Sequence, residues 1–234
     1  MIIPKALMHT RPHHQTMAER ANTLRAGVLG ANDGILTVVG VLFSVAAATS
    51  NHFTIFIAGL ADLLACAFSM ASGEYASVSA QQDTEKAVVA KEAALLQTDH
   101  AQSVQTVVQY YQDRGVTQAT AEKIAAQLMA KDALGTVLRV KYSLTLGHYM
   151  DPWAAAFSSL VAAASGGLFP LVAMTCLPIA WQWPGTILAV IASVVLTGFL
   201  SARFGDGLTR VAVARNVIIG ILTMIIHYAI GQVM

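Results

Sequence analysis

Five apolar tracts dominate the chain, at residues 26–48, 53–77, 153–175, 185–203 and 211–232. A helix crossing a bilayer needs ~20 mostly apolar residues at ~1.5 Å rise each. Each tract meets or approaches that length, so five membrane-spanning helices are expected. Residues 81–151 break the pattern. They hold half of the 14 Lys and Arg residues, namely Lys86, Lys91, Arg114, Lys123, Lys131, Arg139 and Lys141, and are rich in Ala, Gln, Leu and Glu. This segment reads as a water-exposed helical insertion, with helices at 80–97, 100–114, 117–130 and 132–147. The first continues from the second span without a break. Gly115 is the expected helix stop and Thr117 the expected N-cap of the next helix. The expected organisation is a tail at 1–25, two spans within 26–80, the insertion at 81–151 and three spans within 152–234.

Polar residues inside the tracts are few, and they are where chemistry is expected. The first tract contains a single ionisable residue, Asp33, beside Asn32 and between Gly30 and Gly34. A bare carboxylate in hydrocarbon costs at least ~2.5–3.5 kcal/mol, so a partner, a proton, a bound cation or a wet cavity must offset it. The two glycines lie four apart and let another helix approach closely. The second tract carries Asp62 near its middle and Glu74 near its end. At about 100° per residue, Asp62, Cys66, Ser69, Met70 and Gly73 share one face, with Glu74 on its shoulder. Asp33, Asp62 and Glu74 thus form a descending series of acids on two neighbouring antiparallel helices. Burial raises carboxyl pKa values and a bound cation lowers them again, so a proton and a metal ion can compete for one site. The thioether of Met70 adds little for Mg²⁺ or Ca²⁺ and more for Fe²⁺ and softer ions. The set therefore points to a path for a divalent transition metal, against the alternative of static pairing between helices. For His227, in the last tract, the pattern allows a ligand, a proton relay or a simple hydrogen-bonded side chain. Cys66 reads as a small buried hydrophobe.

Composition and charge narrow the class. Of 234 residues, 56% are hydrophobic and 12% charged, which fits a polytopic all-α membrane protein rather than a soluble domain. A net charge of +1 without a basic stripe excludes a nucleic-acid partner. Cys66 and Cys176 sit in different tracts and imply neither a disulfide framework nor a Cys-based zinc site. His9, His13 and His14 read as part of a solvated tail. No signal peptide is recognisable, so the first span is expected to be retained. Trp181 and Trp183 are expected as an interfacial pair between spans three and four, and Gly166, Gly167 and Pro170 are expected to weaken or kink span three. Every Lys and Arg lies in the tail, the insertion or the last link, and none in the first or third link or at the C-terminus. Basic residues mark the cytoplasmic side, which puts the N-terminus and insertion there and the C-terminus opposite. No Ser/His/Asp set, HExxH or phosphate-binding glycine loop occurs, so an enzyme is not expected.

The segments RAGVLGANDG (Arg25 to Gly34) and SMASGEYASVSAQQDTEKA (Ser69 to Ala87) resemble the vacuolar iron transporter family, including its bacterial members. Asp113-Arg114-Gly115, Asp132-Ala133-Leu134, Asp151-Pro152 and the five-span plan extend the likeness over nearly the whole chain. The resemblance implies a homodimeric carrier that moves Fe²⁺, and often Mn²⁺, out of the cytoplasm in exchange for protons, with no resident cofactor. It implies that Asp33, Asp62 and Met70 line a path between subunits. It also implies a metal-capturing glutamate cluster in the insertion. Glu92 fits one such position, whereas Leu95, Ser103, Thr106 and Ser143 stand where other acids are expected. The expected metal-contacting set is therefore Asp33, Asp62, Met70, Glu74 and Glu92, with a degenerate insertion. The competing reading is a non-transporting scaffold or metal sensor that keeps the fold. A chain this compact fits a bacterial inner membrane, or a vacuolar membrane if eukaryotic.

Overall fold

A computed structural model describes residues 17–147, 149–205 and 207–233, with side chains from residue 21 onward. His9, His13 and His14 lie outside the described residues. Seven helices follow one another: α1 (Met17–Ala48), α2 (His52–Thr98), α3 (His100–Gln112), α4 (Gln118–Tyr142), α5 (Pro152–Cys176), α6 (Ile179–Phe204) and α7 (Thr209–Val233). No strand occurs among the described residues. Five helices, α1, α2, α5, α6 and α7, are long and apolar enough to cross a membrane. The protein is all-α and polytopic. Two compact units form, one from residues 79–150 and one from the described residues before 79 and after 150. The 47-residue helix α2 contributes to both.

In the apolar unit, α1 packs against α5, α6 and α7. Ile35, Val38, Val39, Leu42 and Phe43 of α1 meet Leu171 and Met174 of α5, Val190 and Val194 of α6, and Met224 of α7 in the core. The α1–α5 contact is backbone to backbone. A Cβ built on Gly34 would overlap the Ala163 carbonyl, and one on Gly166 would overlap the Ala31 carbonyl. One on Gly30 would come within 2.7 Å of the Ser159 carbonyl oxygen. Gly166 and Gly167 therefore serve close approach, and α5 runs unbroken through both glycines and Pro170. Asp151 caps α5 by accepting from the backbone N–H groups of Trp153 (2.9 Å) and Ala154 (3.3 Å), with Pro152 in the first turn, where its missing N–H costs nothing.

Helix α6 begins at Ile179, earlier than the hydrophobic tract indicates, and takes in Trp181, Trp183 and Pro184. Trp181 is exposed, but Trp183 turns inward. Its ring lies 4.9 Å from that of Phe43 and 5.4 Å from that of Tyr228, both edge-on. The expected pair is thus split by packing: tryptophan supplies apolar area wherever a neighbouring helix offers a slot.

The other unit is built on Val107 and Val108 of α3 and on Ala121, Ala125, Met129 and Val137 of α4. Asp99 caps α3 by accepting from the Gln102 N–H at 2.9 Å. Gly115 turns the chain at φ 85°, where a side chain would be strained. Asp132 interrupts α4 with extended backbone (φ −157°, ψ 86°), and its carboxylate accepts from the Gly135 N–H at 2.9 Å, restarting the helix. The last helix ends at Tyr142, short of residue 147, because Ser143 adopts a left-handed conformation.

Replacing Gly34 by Val should force α1 from α5 and lower stability by about 1–3 kcal/mol. Thermal unfolding in detergent reads this directly. An unchanged midpoint would show that the two backbones are not in contact.

Candidate ion path

Asp33, Thr37, Gly40 and Ser44 recur on α1 at i, i+4, i+7 and i+11, so they share one face. That face is distinct from the glycine face used by α5. Helix α2 runs antiparallel alongside it and meets it in successive rungs. At the lowest rung Glu74 is buried, and its Oε1 lies 2.8 Å from Arg25 Nη2. At the next, the Cys66 thiol donates to Asp33 Oδ2 at 3.5 Å. One turn further along α2, Asp62 stands beside Thr37 and within electrostatic reach of Asp33 and of His227 on α7. Thr37 itself donates to the Asp33 backbone carbonyl at 2.9 Å. One oxygen here, Asp62 Oδ2, is buried with no hydrogen-bond partner among the described residues. Met70 is half-buried against Cys66, Ala67 and Ala163.

The residues expected from the sequence thus divide into three groups. Asp33 and Asp62 gather along one side of α1, and Met70 packs beside Cys66 of α2 and Ala163 of α5. Glu74 lies on the same side, but its charge is already balanced by Arg25. Glu92 belongs to the other unit. Sequence reasoning missed Thr37, which sits one turn from Asp33, and undervalued Cys66, which shares the Asp62 face and bonds to Asp33. Among the described residues no three His, Cys, Asp or Glu side chains converge as a complete metal site. A single chain offers instead a line of oxygen and sulfur donors, one or two per turn, with an unsatisfied carboxylate oxygen in the middle. Such a line can pass a cation from one donor to the next, and it can hold a proton where no cation is bound.

Glu92 shows a different chemistry. Its side chain is fully buried, and its Oε1 accepts from Lys141 Nζ and from the Tyr142 hydroxyl, each at 2.7 Å. Oε2 has no partner. Burial pushes the Glu92 carboxyl up, but the bonds from Lys141 and Tyr142 outweigh it and hold the group below the usual carboxylate range. The bond to Glu92 in turn raises Lys141 above the ordinary lysine value, against the pull of burial. Lys141 supplies the positive charge that a metal ion would otherwise bring.

The fold and the acid-lined face define a polytopic membrane protein with a candidate cation path. The VIT family model matches residues 24–232. The chain is similar to "Vacuolar iron transporter" of Acanthamoeba castellanii, 35% identical over 219 residues, which is 93% of this chain and 81% of that protein. It is also similar to "Vacuolar iron transporter homolog 2" of Oryza sativa subsp. japonica, 30% identical over 213 residues, 90% of each. The chain belongs to the VIT family.

The buried pair gives a signed pH dependence. The contribution of Glu92 is present above the ordinary carboxyl range and is lost as pH falls through its depressed folded value. That of Lys141 is present below the ordinary lysine value and is lost as pH rises through its raised folded value. Stability of the 79–150 unit should therefore hold level through neutral pH and fall at both extremes. Lys141→Met should cost about 3 kcal/mol at neutral pH, the low end for a broken buried pair because Lys141 is part exposed. Hydrogen exchange of α3 and α4 amides in the full chain measures it. Unchanged protection would mean that the pair contributes nothing.

Proposed function

We propose that this protein is a proton-coupled carrier of a divalent transition metal, Fe²⁺ or Mn²⁺, that removes the ion from the cytoplasm. Family membership and the names of its relatives support iron as cargo. The observation that carries the reading is the Asp33–Asp62 pair: two carboxylates one turn apart on facing helices, with a buried oxygen left unsatisfied. An ion path needs such an oxygen free, and among the described residues Asp62 has no Lys or Arg partner, unlike Glu74 and Glu92. Carboxylates with the Met70 thioether suit Fe²⁺ and Mn²⁺ better than Mg²⁺. The two charge states that alternate are the metal-bound carboxylates and the protonated ones, so inward proton flow drives outward metal flow.

A homodimer completes the site in this reading. One chain brings too few donors to one level, and a two-fold axis beside the α1–α2 pair brings a second set to each rung. The basic residues put the N-terminus and the 79–150 unit on the cytoplasmic side and the C-terminus on the other. A second reading, a scaffold or metal sensor without transport, draws on the Glu92–Lys141 pair, which occupies the carboxylate best placed to capture metal in the insertion.

The decisive variant is Asp33→Asn. In proteoliposomes with a pH gradient, the unmodified protein should show Fe²⁺- and Mn²⁺-driven proton movement, and the variant should fall to the level of empty liposomes while eluting at the same size. Wild-type flux in the variant contradicts the path. Absence of flux in the unmodified protein favours the scaffold.

A further inference from the structure

The rungs continue past Asp62. Gly40 lies seven residues beyond Asp33 on the same face of α1, ~10 Å further along the helix axis. The side chain that fills its place comes from α7. A Cβ built on Gly40 would lie 2.7 Å from Nε2 of His227, 2.8 Å from Cδ2 and 3.0 Å from Cε1. Distances this nearly equal lay the face of the ring, on its Nε2 side, over the notch that the glycine leaves. On the other side of the ring, Nδ1 lies 2.9 Å from the Thr223 backbone carbonyl. A carbonyl only accepts, so Nδ1 carries the hydrogen, and in the neutral ring Nε2 is a bare lone pair. Nε2 has no hydrogen-bond partner among the described residues. The backbone is also tied at this level, since the Ser44 hydroxyl donates to the His227 carbonyl at 3.1 Å. Asp62, the preceding rung, is within electrostatic reach of the ring.

An imidazole anchored through Nδ1–H to a backbone carbonyl and laid flat against the polar face of α1, with Nε2 unpartnered among the described residues, has the tautomer and anchoring found in metal-ligating histidines. We propose that His227 is a further donor on the ion path, the station after Asp62, and that its nitrogen sets metal preference. The assignment rests on the transport reading above and adds a ligand of different chemistry to it. Carboxylates alone suit Mn²⁺ and harder ions, while an imidazole nitrogen favours Fe²⁺, Co²⁺ and Zn²⁺. An ion moving from Asp33 through Asp62 to His227 exchanges oxygen for nitrogen as it advances, so ions that accept nitrogen are passed on more readily than Mg²⁺ or Ca²⁺.

The test is pulsed EPR of Mn²⁺ bound to the purified full-length protein in detergent, with the Co²⁺ to Mn²⁺ flux ratio measured in parallel in proteoliposomes. Unmodified protein should show ¹⁴N couplings to Mn²⁺. His227→Gln should lose them, and its Co²⁺ to Mn²⁺ flux ratio should fall at least about tenfold, the low end of what is lost when only the hydrogen-bonded support of a metal ligand is removed. Gly40→Ala keeps the histidine but places a methyl group against the ring face, 2.7 Å from Nε2, so the ring must tilt away and the couplings should be lost too. This variant displaces only a side-chain tip and guards against misfolding of the first. Absence of ¹⁴N coupling in the unmodified protein, its persistence in His227→Gln, or an unchanged flux ratio would overturn the assignment. The EPR signal is read in protein that is not cycling, so it can fail while Asp33-dependent flux stands, and flux can fail while the nitrogen ligand is seen.

Discussion

Charge in an apolar medium must be matched, and the apolar unit of this protein is arranged around how its carboxylates meet that demand. Glu74 meets it with Arg25 at 2.8 Å. Asp33 receives the weak donor Cys66. Asp62 is left with an oxygen that nothing among the described residues satisfies. The degree of matching falls with depth: full at the edge, partial one rung in and incomplete at the centre. A gradient of that kind leaves the deepest acid most in need of an outside charge. It is the condition for a site that a proton and a divalent ion occupy in turn, rather than one that a permanent ion pair closes.

Helix α1 makes this possible because its two working faces have opposite requirements. One face is stripped of side chains at Gly30 and Gly34, so α5 packs against its backbone and holds it rigidly. The other carries Asp33, Thr37, Gly40 and Ser44. A donor is useful only when its position is fixed, and the close α1–α5 seam fixes these without placing any bulk on the polar side. Gly40 belongs to the second face for a different reason from Gly34. It leaves space for an incoming imidazole rather than for a backbone, which is why two glycines six residues apart on one helix serve unlike purposes.

Periodicity made the five apolar helices legible, together with the continuation of α2 beyond its apolar part and the shared side of Asp62, Cys66 and Met70. These are properties of a helix considered alone. What the sequence did not disclose depends on which neighbour a side chain meets. Trp183 looks like an interface marker until Phe43 and Tyr228 enclose it. Glu92 looks like an isolated acid until Lys141 and Tyr142, 49 and 50 residues away, bond to its Oε1. His227 looks like an isolated polar residue until Gly40, on another helix, makes room for it. The absence of acids at Leu95, Ser103, Thr106 and Ser143 was a local signal that the insertion had changed. The lysine that took over the charge was not.

The central claim is that metal and proton alternate on the Asp33–Asp62 pair. Calorimetry of Mn²⁺ binding in detergent, repeated in buffers of different ionisation enthalpy, counts the protons released per ion bound. The account predicts proton release in the unmodified protein and its loss in Asp62→Asn. Mn²⁺ binding at this pair without any proton release would contradict it.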